Sequence, residues 1–183
     1  MKNKKKIITI LICAAIILVM VALDQITKYF AVKCLSDGKY TFIKGFMDFN
    51  LYYNTGFAFG LGEGYQYIWA IVSFIGCIVI GYFLRYADFK KNFLFTIIII
   101  MLFAGTFGNM IDRIFSNKGV IDFFKPTFID FAIFNVADCY VTVGAFLLAF
   151  YVLFIYKEPE KKSNKEKIEN TDSPIEEEVE DND

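Results

Sequence analysis

Four apolar runs, each close to the length that crosses a hydrocarbon core, dominate this chain. They are IITILICAAIILVMVAL (residues 7–23, continuing to about Phe30), GYQYIWAIVSFIGCIVIGYFL (64–84), NFLFTIIIIMLFAGTFGNMI (92–111) and CYVTVGAFLLAFYVLFIY (139–156). A core roughly 30 Å thick needs about 20 apolar residues at about 1.5 Å of helical rise each. In lipid the backbone must also satisfy its own hydrogen bonds, which a helix does and an open strand does not. The runs therefore predict four transmembrane helices. Composition excludes an ordinary water-soluble domain, since 56% of the residues are hydrophobic and only 21% charged.

The first run follows MKNKKK, and a basic start before an apolar core is also the pattern of a cleavable secretory signal. The run outlasts a signal core, no small-x-small site closes it, and Asp24 and Lys28 follow at helical spacing. A retained first span is expected. With the N-terminus cytoplasmic, the inner segments carry Lys2, Lys4, Lys5, Lys6, Arg85, Lys90, Lys91, Lys157, Lys161, Lys162, Lys165 and Lys167, twelve of the 19 basic residues. That bias predicts both termini inside, outer loops at about 31–63 and 113–134, and an inner loop at 85–91. Residues 157–183 are acid-rich with little to bury and read as a disordered cytoplasmic tail, leaving 1–156 as the membrane domain. The stretch 31–54 alternates aromatic and polar residues with a glycine at each break, which predicts short strands at the interface. The expected fold is membrane all-α with a small β element.

Cys13, Cys34, Cys77 and Cys139 lack paired spacing, so neither a disulfide framework nor a metal cluster is expected, and no cofactor or nucleic acid is implied. The acidic residues are more informative. From Lys6 to Asp24, from Lys91 to Asp112 and from Lys157 back to Asp138, the helical rise is roughly 27 to 32 Å, about one hydrocarbon thickness. Three carboxylates from three helices are thereby expected at one membrane face, joined by Asp122 and by the turn-forming YNTGFAFG (53–60) with Asn54 and Gly56. Ionisable groups at membrane depth are costly, so their convergence marks a candidate site.

Local spacing offers plainer roles for the same residues. Asp24 and Lys28 suit a helix salt bridge, and Asn135 with Asp138 suits a helix N-cap and its third position. Asn109, Asp112 and Arg113 share one end of the third span, where the arginine can neutralise the acid. Asp130 is expected to meet water.

The chain contains no histidine, which removes Ser-His-Asp, Cys-His and imidazole-zinc chemistry. Two adjacent carboxylates cannot both ionise cheaply, so one keeps a proton while the other serves as base towards water. A hydrolase at the membrane edge fits. A transporter or ion-binding bundle is the competing class, but it wants acids spread along a path through the membrane. An intramembrane aspartyl protease of the presenilin kind wants GxGD deep in a span, and the sequence has none.

The blocks DQITK (24–28), NTGFAF (54–59), GNMIDR (108–113), VIDF (120–123) and FNVAD (134–138), in this order, resemble the bacterial lipoprotein signal peptidases, the type II signal peptidases, from residue 7 to about 156. The resemblance implies cleavage of diacylglyceryl-modified prolipoproteins just before the lipidated lipobox cysteine, in the bacterial cytoplasmic membrane. It implies Asp122 and Asp138 as the catalytic pair and a small β-cradle in the first outer loop. Asp138 heads a helix, whose dipole favours the ionised form, so it is expected to be the base. Asp112 is assigned support work because Arg113 and Asn109 flank it. Asn54, Gly56, Asn109, Arg113 and Asn135 are expected around the substrate backbone and the oxyanion. Asp24 and Lys28 are expected to fix the first helix to the cluster. Phe57 departs from a position commonly small in the family, leaving the cleft's shape open. Membrane lipid is the expected surrounding, and a monomer is the simplest assembly.

Overall fold

The computed structural model describes residues 2–36, 38–56 and 62–156. Phe57 and the acidic tail lie outside the described residues. Among the described residues, four helices are long and apolar enough to cross a membrane. They are α1 (Lys2–Leu35), α2 (Gln66–Phe83, continued by a tighter turn at Leu84–Tyr86), α3 (Phe93–Phe115) and α4 (Val136–Phe150, continued by a wider turn at Tyr151–Ile155). Three antiparallel strands, β1 (Tyr40–Ile43), β2 (Met47–Asn54) and β3 (Val120–Pro126), form one sheet in that order.

The burial pattern is that of a bundle placed in lipid. Half of the most apolar stretch of α3 is buried, against 17% or less in the other three, so α3 is the central post. Its Ile100 and Ala104 meet Cys13, Ile17 and Val21 of α1. Leu11, Val72, Phe146 and Leu153 point outwards, where hydrocarbon removes the cost that water would impose. Without a hydrophobic drive between helices in lipid, small residues govern close approach. A Cβ on Gly105 of α3 would stand 2.4 Å from the carbonyl oxygen of Ala137, and one on Gly144 of α4 would stand 3.0 Å from Leu102.

The helix α1 runs past the expected limit near Phe30 to Leu35, and its last turns serve the sheet. Ala31 and Leu35 pack with Phe123 of β3, and Phe49, Leu51, Phe124 and Val136 close around them. The hairpin β1–β2 turns at Gly45, whose φ of +76° favours a residue without Cβ.

The second outer loop differs from expectation. It holds β3, so Asp122 lies on a strand paired opposite Tyr52, not in a loop. Gly119 makes this pairing possible: its φ is +102°, and a Cβ there would lie 2.5 Å from the Asn54 carbonyl oxygen. The sheet thus draws one strand from the second loop to complete the hairpin of the first. The last helix begins at Val136, directly after the Asn135 N-cap that the sequence predicts, which places Asp138 within its first turn.

Candidate active site

Asn135 caps α4. Its side-chain oxygen accepts the Asp138 backbone N–H at 2.9 Å, and its own backbone N–H donates to Asp138 Oδ2 at 3.0 Å, a reciprocal capping box. The plain helix-start role is therefore real, yet it uses only one oxygen of Asp138. The other, Oδ1, accepts from Asn109 Nδ2 at 2.7 Å.

The same asparagine reaches the strand. Asn135 Nδ2 donates to Asp122 Oδ1 at 2.6 Å, so one fully buried side chain is bonded to both Asp122 and Asp138. Asp122 Oδ2 accepts from Asn54 Nδ2 at 3.1 Å. That amide is oriented by the Gly56 N–H, which donates to Asn54 Oδ1 at 3.0 Å. Asp122 is 1% exposed. Burial first, and then the negative charge of Asp138, push its carboxyl up to about 7, within the range where it holds a proton at neutral pH.

Behind this pair lies a buried ionic knot. Lys28 Nζ stands 2.9 Å from Asp24, 2.8 Å from Asp112 and 2.9 Å from Asn109 Oδ1. Asp24 Oδ1 accepts the Ala137 N–H at 2.9 Å, fastening α1 to the start of α4. Gly108 leaves the room this needs, since a Cβ there would lie 2.7 Å from Asp24 Oδ2. The lysine also fixes an amide. With Asn109 Oδ1 accepting from Lys28, Asn109 Nδ2 is the end presented to Asp138.

One expected pairing is corrected here. Asp112 is neutralised by Lys28, not by Arg113, and it also accepts from Gln25 Nε2 at 3.0 Å and the Ile121 N–H at 3.2 Å. Adjacent residues on a helix point about 100° apart, so Arg113 turns elsewhere. Its guanidinium donates to the carbonyl oxygens of Asn109 and Gly56, and its Nε has no hydrogen-bond partner among the described residues. Asn135 and Asn109 are buried, and their amides donate to the two carboxylates, Asn135 to Asp122 and Asn109 to Asp138.

Gln25 joins the cluster beyond the residues the sequence motifs point to, and a polar residue between Asp24 and Lys28 inside a span is the signal for it. It ties Asp24, Asp112 and the Gly108 carbonyl oxygen together.

Asp122, Asp138, Asn54 and Arg113 line one cavity of about 1080 Å³. It continues between α2, α3 and α4 past Ser73, Thr106 and Thr142, and its rim carries Lys125, Glu63 and the exposed Asp130. Among the described residues, no three His, Cys, Asp or Glu side chains are grouped to hold a metal ion. The arrangement offers two carboxylates held by one asparagine, one of them poised to keep a proton, beside a guanidinium whose Nε–H has no partner among the described residues.

Comparison with known proteins points one way. The family profile described as signal peptidase (SPase) II matches residues 16–154. The lipoprotein signal peptidase of Streptococcus pneumoniae is 34% identical over 144 residues, covering 78% of this chain and 92% of that protein. The lipoprotein signal peptidase of Listeria welshimeri is 36% identical over 141 residues, covering 75% and 90%. Two solved bacterial membrane enzyme structures superpose with a TM-score of 0.69 each. One is 28% identical and covers 89% of this chain and 93% of its own; the other is 31% identical and covers 79% and 94%.

Proposed function

The chain belongs to the signal peptidase II family, a multi-pass bacterial membrane peptidase that removes signal peptides from prolipoproteins, and we propose that it does so as an aspartyl endopeptidase using Asp122 and Asp138. The observation that carries this reading is the bond from Asn135 Nδ2 to Asp122, combined with the capping box from Asn135 to Asp138, on the wall of one cavity.

In the proposed reaction Asp138 is the base. Both of its oxygens face N–H donors, from Asn109 and Asn135, which suits an anion. It takes a proton from water, and the oxygen attacks the scissile carbonyl carbon. Asp122 gives its proton to the carbonyl oxygen. When the intermediate collapses, the C–N bond breaks, the amine leaves with the proton held by Asp138, and Asp122 recovers one from the intermediate's hydroxyl. Arg113, whose side chain lines the cavity, would stabilise the developing oxyanion through its guanidinium.

The substrate is a prolipoprotein carrying a diacylglyceryl group on its lipobox cysteine, cut just before that cysteine. A cavity open between spans suits a lipidated segment arriving from the bilayer. In this reading both termini lie in the cytoplasm and the acids at the outer leaflet; the orientation that puts twelve of the 19 basic residues inside supports it.

The test is a gel shift of a lipidated lipobox precursor on incubation with the purified protein, with and without a peptide antibiotic of the globomycin type. Cleavage that the antibiotic blocks is expected. No shift under conditions where another family member works would defeat the reading.

A further inference from the structure

Below the acids the cavity holds three hydroxyls that the proposed chemistry does not use. Thr106 of α3 lies three residues from Asn109, about 4.5 Å further into the bundle, and Thr142 of α4 lies four residues beyond Asp138, about 6 Å in. Ser73 faces them from α2. Helical threonines ordinarily return their hydroxyl to the preceding turn, and Thr9, Thr27 and Thr96 do so here. Ser73, Thr106 and Thr142 make no such bond among the described residues, nor do they bond any other partner there.

The setting constrains what could satisfy them. Three hydroxyl donors at membrane depth without acceptors are costly, and polar groups lining an intramembrane cavity mark what passes through it. The methyl of Thr106 is turned towards Gly76 of α2, where a Cβ would stand 3.5 Å away. The walls beside the hydroxyls, including Val141 and Val143, are apolar and suit hydrocarbon. A ligand that fits carries acceptors without donors, flanked by alkyl chains. The acyl-ester carbonyls of a glycerolipid have this chemistry.

We infer that Ser73, Thr106 and Thr142 form a subsite for glyceryl ester carbonyls, one helical turn below the carboxylates, which positions the lipidated residue of the substrate. The inference rests on the reading of the chain as a peptidase for lipidated precursors. The hydroxyls donate, the ester oxygens accept, and the acyl chains run along the apolar walls. A bilayer phospholipid presents the same esters and is the other source of the ligand.

Two precursors of one sequence separate the possibilities, one with a diacylglyceryl and one with a dialkylglyceryl ether group on the lipobox cysteine, assayed in micelles of an ester-free detergent. The wild type is expected to favour the ester by about tenfold in kcat/KM, on the scale of one or two hydrogen bonds. Combined Ser73→Ala, Thr106→Val and Thr142→Val should bring the ratio close to one, mostly through KM. Thr106→Ser retains the donor and should keep the preference, which guards against a mere packing defect.

If bilayer esters are the occupant, the wild type will cut both precursors alike. Added diacyl phospholipid will then inhibit the wild type and not the combined variant, which upholds the subsite and reassigns its occupant. An unchanged ester-to-ether ratio together with no phospholipid effect overturns the subsite, as does an equal loss on both precursors, which signals contact with the peptide. A wild type that cuts neither precursor defeats the peptidase reading itself, and the subsite with it.

Discussion

The side-chain amide of Asn135 stands 2.6 Å from Asp122 while the remainder of the same residue caps the helix that carries Asp138. One side chain thus joins a fold-determining task to the placement of an acid. The two can be separated, because serine caps a helix about as well as asparagine but is too short to reach Asp122. Asn135→Ser is expected to keep the melting temperature close to wild type and to lower kcat/KM by about 10²-fold through misplacement of the acid. Asn135→Ala should also lose about 1 kcal/mol of stability. Thermal unfolding in detergent beside precursor cleavage measures both. Full activity in Asn135→Ser would remove the bridge from the mechanism.

Three acids of the cluster, Asp122, Asp138 and Asp112, are expected to respond differently to amide substitution. Asp122→Asn and Asp138→Asn should each lose about 10³-fold or more in turnover, the scale of a lost acid or base, while remaining folded. Asp112→Asn removes the charge opposite Lys28 and leaves that ammonium with Asp24 alone. Its cost should appear as stability, about 3 kcal/mol, with measurable turnover in the folded fraction. Substantial activity in Asp122→Asn, or none in well-folded Asp112→Asn, would exchange their roles.

A pH profile carries the sign of the proposed proton. Asp122 titrates in the fold at about 7, raised from 3.8 by burial and by Asp138. Below about 7 it holds the proton that the mechanism donates, and above it both carboxylates are charged. The alkaline limb of kcat/KM is therefore expected near pH 7, falling as pH rises. The folded protein also binds more protons than the unfolded chain between these values, so this group's stabilising contribution is complete below about 3.8 and is lost as pH rises through about 7. Infrared difference spectra should show a protonated carboxyl band that disappears on this limb and is absent in Asp122→Asn. A rate that is flat or rising from pH 6.5 to 8.5 would contradict the assignment.

What was readable from the sequence follows the range of the interactions. The pairs Asp24 with Lys28 and Asn135 with Asp138 sit at helical spacing, and both form as that spacing predicts. The four spans were equally legible, because length and apolarity act locally. The partner of Asp112 was not legible. Lys28 lies 84 positions away on another helix, and proximity in sequence pointed to Arg113 instead. The strand bearing Asp122 was hidden for a similar reason: VIDF is too short to declare itself, and its pairing with β2 depends on a hairpin from the other loop and on Gly119. The bonds from Asn109 to Asp138 and from Asn135 to Asp122 are likewise long-range, since only the packed elements bring those amides to those carboxylates.

Glycine substitutions test whether α3 seats the acids by close approach. A Cβ at Gly105 would meet the Ala137 carbonyl oxygen at 2.4 Å and the Val141 nitrogen at 3.1 Å, both backbone, so α3 and α4 must part to admit it. A Cβ at Gly108 would meet Asp24 Oδ2 at 2.7 Å, and that carboxylate is held by Lys28 and the Ala137 N–H. It can give way only by stretching one of those bonds, a cost of about 1 to 3 kcal/mol. Gly81 is the control, with an ordinary 3.4 Å contact to the far edge of the Phe103 ring. There alanine should gain up to about 1 kcal/mol from helix propensity. The expected order of melting temperatures is Gly81→Ala at or above wild type, then Gly108→Ala, then Gly105→Ala. Activity should fall with Gly105→Ala as well, because Ala137 adjoins Asp138 and any parting of the helices moves that carboxylate away from Asn109. Equal stability of Gly105→Ala and Gly81→Ala would mean that the α3–α4 contact is looser than the geometry requires, and that the acid pair is seated by the sheet and Asn135 alone.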